Sequence, residues 1–265
     1  MYSRLQSVIK YLTYYTAASN GKGHGVHSPF VYDFIIHVLN DRRPFYAYTQ
    51  IEAIRQQLLQ DDRMLQIEDF GAGSRTIKTT QRKVAAIAGS SLKPSKFSQL
   101  LFRMINYYQS QTILEVGTSL GITTAYLASA RQDASVITME GATAVAAVAK
   151  ENFTELGLTN IKVVEGNFDE TLLSTVSPLS SIDFAFLDGN HRYEPTIRYF
   201  DSLLDHLHEY SIVVMDDIHW SEEMEQAWYK AQQYEQVTLT IDLFFIGILF
   251  FRKESKVKQH FAIRF

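Results

Sequence analysis

Two short segments gather the side chains best able to do chemistry. FLDGNHRYE, from Phe186 to Glu194, and VMDDIHW, from Val214 to Trp220, each place acids at the end of an apolar run that reads as a buried strand. If the two strands are parallel, both acidic ends lie at the carboxyl edge of the sheet, where open α/β proteins bind ligands. Asp188, Asp216 and Asp217 are then expected to converge. Three neighbouring carboxylates repel one another unless a proton or cation lies among them, and hard oxygen donors suit magnesium or a similar divalent ion. His191, three residues after Asp188, is of the type that serves as a general base near neutral pH. His219 reads as a supporting or surface residue, and Tyr193 and Trp220 either flank an aromatic substrate or cover the sheet edge.

A binding turn is sought in two glycine-rich stretches, LEVGTSLG (Leu114 to Gly121) and DFGAGS (Asp69 to Ser74). LEVGTSLG lies between a buried strand and a helix. Gly117 permits a tight turn, Thr118 and Ser119 follow it, and Gly121 permits close backbone approach where a helix amino end offers free N–H groups. Glu140 comes nineteen residues after Gly121, directly after the next strand, where a carboxylate can accept both hydroxyls of a ribose. DFGAGS has no such second strand and acid, and reads as a connecting turn; a contribution of Ser74, Arg75 and Lys78 to a substrate entrance is the alternative. Gly117, Ser119 and Gly121 also satisfy G-x-S-x-G, with Asp188, Asp216 and His219 following in the order of a hydrolase triad. That elbow normally enters after several strands, whereas little strand is evident before Thr112, and Glu115 and Glu140 would have no role. The G-x-G-x-x-G spacing of nicotinamide enzymes is missing.

The elements that must position these residues follow from periodicity. The first third reads as mainly helical: Leu5 to Tyr15, Pro29 to Leu39 with Ser28 as its cap, and Thr49 to Leu59. His24 and His27 lie in the loop GKGHGVHSP, read as structural, with a lid or metal pair as the alternative. From Pro94 onward helices alternate with strands at Thr112 to Val116, Ser135 to Met139, Asn160 to Val164, Ile182 to Leu187 and Ser211 to Met215. Val237 to Ile241 and Phe245 to Phe251 close the chain as a hairpin. The expected fold is therefore α/β and Rossmann-like, a seven-stranded mostly parallel sheet with a terminal antiparallel hairpin and helices on both faces. A mainly helical extension over residues 1–92 precedes a core domain over residues 93–265.

Composition narrows the classes. At 265 residues with 46% hydrophobic and 20% charged content, the chain can bury a full core. A net charge of -4 does not give the basic footprint of a nucleic-acid binder. With no cysteine, disulfides and cysteine nucleophiles are excluded, and a reducing, cytoplasmic setting is expected. The run LFFIGILFF, Leu243 to Phe251, is too short to span a bilayer as a helix, so no membrane partner is expected.

Taken together, Glu115, Gly117, Ser119, Gly121 and Glu140 resemble the pattern of class I S-adenosylmethionine-dependent methyltransferases, over roughly Pro94 to Phe265. The resemblance implies that Glu115 and the turn, including Thr118, hold the cofactor, that Glu140 binds its ribose, and that Asn167, Phe168 or Asp169 lies by the adenine. Ser119 stands where a central glycine is common. The acidic segments resemble the catechol-type O-methyltransferases, which implies magnesium on Asp188, Asp216 and Asp217, with Asp188 also near the cofactor. His191 stands where that family carries a catalytic lysine, so His191 and Asp188 form the expected catalytic set. The implied activity is methyl transfer to an oxygen of a small molecule. Nitrogen, protein or RNA acceptors, or a non-catalytic binding module, are the alternatives. The amino-terminal region is expected to cover the site or to form a homodimer.

Overall fold

The computed structural model describes residues 1–69, 78–254 and 257–265. In chain order its elements begin with helices α1 (Arg4–Ala17), α2 (Pro29–Phe34) and α3 (Tyr46–Leu58), strands β1 (Met64–Asp69) and β2 (Lys78–Lys83), and helices α4 (Val84–Ser91) and α5 (Ser95–Tyr108). There follow β3 (Thr112–Val116), α6 (Ile122–Ala130), β4 (Ser135–Glu140), α7 (Thr143–Glu155), β5 (Ile161–Glu165), α8 (Phe168–Val176) and β6 (Ile182–Leu187). The chain continues through α9 (Tyr193–Leu203), β7 (Leu207–Asp216), α10 (Glu222–Gln233), β8 (Leu239–Asp242), β9 (Ile246–Phe250) and β10 (Gln259–Ala262). This is the α/β, Rossmann-like alternation expected from the sequence. The chain divides into two compact units, Arg42–Pro178 and Met1–Asp41 with Leu179–Phe265.

In the unit Arg42–Pro178, β3, β4 and β5 run parallel in that order, Glu115 opposite Thr138 and Glu140 opposite Glu165. α5 buries Phe97, Leu100, Leu101, Met104 and Ile105 along one stripe, and it stops at Gln109, whose left-handed backbone lets its N–H donate to the Ile105 carbonyl. All nine residues of α6 are buried, which small side chains such as Ala125, Ala128 and Ala130 allow. The sequence reading missed the antiparallel ribbon of β1 and β2, paired from Met64↔Lys83 to Asp69↔Lys78, because KTTQRK offers no apolar alternation to mark a strand. Of DFGAGS only Asp69, the last residue of β1, is described; the rest of the segment to Ser74, and Arg75, lie outside the described residues.

In the unit Met1–Asp41 with Leu179–Phe265, β6 and β7 are parallel, β7 pairs antiparallel with β9, and β9 with β8. The expected terminal antiparallel pair is present. β10 adds to it, parallel to β8, so eight strands besides the ribbon are found among the described residues rather than seven. QHFA is short and mixed in polarity, and only its long-range partner makes it a strand. Trp228 of α10 is buried against β9 at Gly247, where a Cβ would lie 2.5 Å from the indole ring; the bare backbone is what admits the ring. α1 begins with a capping box in which Ser3 accepts from the Gln6 N–H and Gln6 from the Ser3 N–H. α2 starts at Pro29 under the Ser28 cap and passes into a π-helical turn ending at Leu39. Among the described residues no helix is long and apolar enough to cross a membrane.

Candidate functional site

The turn after β3 is built by its backbone. Gly117 and Thr118 both donate N–H groups to the Met139 carbonyl at 3.0 Å, and Gly117, Ser119 and Gly121 have φ of 111°, 49° and 81°. Gly121 caps α6, and a Cβ there would lie 2.6 Å from Phe153 and 3.0 Å from Ala149. The close approach read for Gly121 is thus to helix α7 within the fold. Glu140, at the end of β4, is fixed at both oxygens: Oε2 accepts from the Ser119 N–H at 2.8 Å and Oε1 from the Ala142 N–H at 2.9 Å. Burial raises its pKa while the backbone N–H groups of Ala142, Ser119 and Gly141 oppose the rise. The Gly166 N–H donates to the Glu140 carbonyl, so Asn167 and Phe168 lie just beyond a residue tied to Glu140. Asn167 also caps α8 by accepting from the Asp169 N–H; Phe168 is half-buried and Asp169 exposed.

Beneath the turn lies a hydroxyl relay that sequence reading did not find. Glu115 is fully buried, and its Oε2 accepts from Thr124 at 2.5 Å and Thr138 at 2.6 Å. Since the Thr138 proton goes to Glu115, the 2.6 Å contact with Thr118 must have Thr118 as donor. Glu115 Oε1 has no hydrogen-bond partner, and burial pushes the carboxyl up to about 7 against the pull of the two threonines. The opposition of Glu115 and Thr138 across β3 and β4 was the available signal, but it needs the strand register. Ser91, at the end of α4, meets Ser119 hydroxyl to hydroxyl at 2.9 Å.

In the other unit, the β6–β7 register ends at Leu187↔Met215, so Asp188 and Asp216 emerge side by side at one carboxyl edge. Asn190 and His191 both have left-handed backbones, with φ of 68° and 31°, which turns the loop so that His191 Nε2 lies 3.5 Å from Asp188 Oδ1. The Trp220 ring lies 5.7 Å from the imidazole of His191, placing an indole beside that pair. Tyr193 donates its N–H to Glu223 and begins α9. Asp216 is buried, and Asp217 adopts a left-handed conformation, φ 51°, with its N–H donated to the Phe245 carbonyl at 2.7 Å. Among the described residues no three of histidine, aspartate and glutamate form a group that could hold a metal ion. His24 and His27 are exposed, in a loop shaped by left-handed Gly23 and Gly25. His219 is engaged twice, Nδ1 with Glu225 at 2.9 Å and Nε2 with Asp242 at 2.8 Å.

Residues 114–218 match the family described as a methyltransferase domain, a span that holds the glycine turn, Glu140 and the Asp188–Asp216 edge. That stretch of the chain is similar to a methyltransferase domain. Solved structures with the same fold include the S-adenosylhomocysteine-bound methyltransferase PaMTH1 of Podospora anserina, at 14% identity and a TM-score of 0.60, covering 85% of this chain and 97% of that one. An O-methyltransferase of Bacillus cereus in complex with S-adenosylhomocysteine is similar at 15% identity and a TM-score of 0.56, covering 79% and 92% of the two chains. The O-methyltransferase TomG of Streptomyces achromogenes, in complex with S-adenosylmethionine, reaches 19% identity and 0.52 over 61% and 82%. No curated protein matches the chain. At these identities the solved structures establish the fold alone.

Proposed function

We propose that this chain transfers the methyl group of S-adenosylmethionine to an oxygen of a small molecule. The observation that carries the reading is Glu140, whose two oxygens are both fixed by backbone N–H groups at the end of β4, in the place where a carboxylate accepts from the hydroxyls of a ribose. The buried, unpartnered Oε1 of Glu115 fits the same cofactor, since an ammonium or hydroxyl at the turn would satisfy it. Glu115, the Gly117–Thr118–Ser119–Gly121 turn and Glu140 would hold the cofactor, with Asn167 and Phe168 toward its adenine. The named O-methyltransferases of this fold support oxygen as the acceptor atom.

S-adenosylmethionine, when bound, supplies a methyl group on a positively charged sulfur, so the chain must supply an ionised acceptor. With Nε2 of His191 facing Asp188, the tautomer protonated at Nε2 leaves the Nδ1 lone pair to take the acceptor proton. Asp188 orients the ring and stabilises the imidazolium that results. Trp220 offers an apolar surface beside the histidine for an aromatic or aliphatic acceptor. Among the described residues Asp188, Asp216 and Asp217 form no group that could hold a metal ion, so the chemistry proposed rests on His191 and Asp188 alone. The absence of cysteine is compatible with the cytoplasmic setting we propose.

Calorimetric titration with S-adenosylhomocysteine, with NAD as control, tests the cofactor. Micromolar binding of the first alone, weakened in Glu140→Ala by at least about tenfold, is expected, as the loss of one or two charge-assisted hydrogen bonds requires. Equal binding of NAD, or none of either, overturns the reading. His191→Ala should keep that binding and lose methyl transfer to hydroxyl acceptors, with or without chelator.

A further inference from the structure

None of the fourteen residues of α1 is buried, yet the helix is not loosely attached. Tyr2 and Lys10 donate to the Glu225 carboxylate of α10 at 2.7 and 2.9 Å, and the Tyr2 N–H donates to the Trp220 carbonyl at 3.1 Å. The Tyr14 hydroxyl donates to the Ile263 carbonyl, and Tyr11 packs edge-on against Phe244 with ring centroids 5.0 Å apart. One face of the helix is thus held by polar and aromatic contacts within its own unit.

The other face is apolar and turned to solvent. Leu5, Val8, Leu12 and Tyr15 are 70%, 55%, 56% and 47% exposed, and Ile9 beside them is 54% exposed. Their spacing of three, four and three residues is that of the a and d positions of a heptad, a narrow seam suited to a second helix rather than to a broad core. We infer that α1 is a dimerisation helix whose Leu5–Val8–Leu12–Tyr15 seam packs on the same seam of a second copy of this chain.

Charge and area favour a second copy over a lipid surface. Arg4 and Lys10 are the charged residues of α1, and Lys10 is engaged by Glu225, so the helix lacks the row of cations that membrane-surface helices present. In a two-fold contact each residue of the patch meets the same patch, and an uncharged seam does so without repulsion. Five side chains offering on the order of 100 Å² each give roughly 1,000 Å² over two copies, about the least area a biological interface buries, before the rim is counted. Tyr11 and Phe245, with rings 6.2 Å apart and 37% and 46% exposed, extend the patch at its rim. Because the anchored face of α1 also grips Trp220 and Glu225, dimerisation would stiffen the turn that follows Asp216 and Asp217.

Sedimentation velocity of the full chain tests the inference against Leu5→Lys/Leu12→Lys, with circular dichroism to verify the fold. The native chain is expected to sediment at twice its 30.3 kDa mass, and the double variant as a single chain with an unchanged spectrum. The chain has no cysteine, so Val8→Cys gives an independent readout that leaves the seam apolar. Under mild oxidation it should form a covalent dimer, while Glu235→Cys, exposed on the same unit, should not. A native chain that is monomeric overturns the inference, and one that is monomeric and floats with phosphatidylglycerol vesicles replaces it with a lipid surface. A double variant that still dimerises, or a Val8→Cys chain that cross-links no better than Glu235→Cys, overturns it equally.

Discussion

Replacing Glu115 with glutamine tests whether the buried acid under the Gly117–Gly121 turn is held protonated. Its carboxyl has no solvent exposure, and burial lifts it from an ordinary 4.5 to about 7. In that interval the folded chain keeps a proton that the unfolded chain has released, so stability must fall as pH rises. Integrated from about pH 5 to about pH 8, the difference amounts to roughly 2 to 3 kcal/mol. Glu115→Gln keeps an oxygen for Thr124 and Thr138 but does not titrate, so it should lack this component. Urea unfolding of both proteins across that range should show the variant gaining on the native chain as pH rises, by a midpoint shift of about 1 M. Thr138→Val removes one donor to the carboxylate and strips Thr118 of its acceptor, and should steepen the dependence in the native Glu115 background. A gap between native and Glu115→Gln that stays constant with pH would refute the reasoning. It would mean that Glu115 is ionised throughout and that glutamine changes only packing.

Gly121→Ala should cost roughly 2 to 5 kcal/mol, the sum of a left-handed alanine and an overpacked contact with Phe153, read as a fall in melting temperature; a cost below about 1 kcal/mol would mean that α7 yields freely. His219 should show a pH dependence of its own. Burial opposes its charge, but Asp242 and then Glu225 outweigh burial and raise its pKa, so the stability it contributes is complete below an ordinary histidine value and is lost as pH rises through the folded one. His219→Asn should remove that part of the slope, and identical native and variant slopes in unfolding experiments above about pH 6.5 would rule it out.

The legible parts of this chain are those decided by neighbours in sequence. TILEV followed by GTSLG announces a strand, turn and helix because an apolar run and closely spaced glycines act within a few residues, and Glu140 is found by counting from there. Asp188 and Asp216 were placed on one edge because each ends an apolar run, and the β6–β7 register puts them side by side. What was hidden depends on partners distant in sequence. KTTQRK and QHFA become strands through pairing that their own composition does not announce. Thr138 becomes the hydroxyl donor of Glu115 only once the two are opposite in register. The left-handed backbone of Asp217, whose N–H donates to the Phe245 carbonyl, likewise follows from the β7–β9 pairing.

Backbone strain marks the same places by an independent route. Among the described residues the non-glycine positions with positive φ are Gln109, Ser119, Asn190, His191, Asp217 and Phe244. Gln109 ends a helix in the ordinary left-handed manner. Ser119, His191 and Asp217 are residues singled out from the sequence for their chemistry; Asn190 precedes His191, and Phe244 precedes the residue that accepts from Asp217. Such conformations cost on the order of 1 to 3 kcal/mol each and persist where surrounding structure overdetermines them. At Asp217 the bond to the Phe245 carbonyl accounts for the conformation; at Ser119 and His191 glycine would relieve the strain. Positioning accounts for these two: the left-handed Ser119 points its N–H at Glu140, and the left-handed pair Asn190–His191 brings the imidazole back to Asp188. The strain therefore accompanies the placement of one carboxylate and one imidazole, the two groups on which the proposed methyl transfer rests.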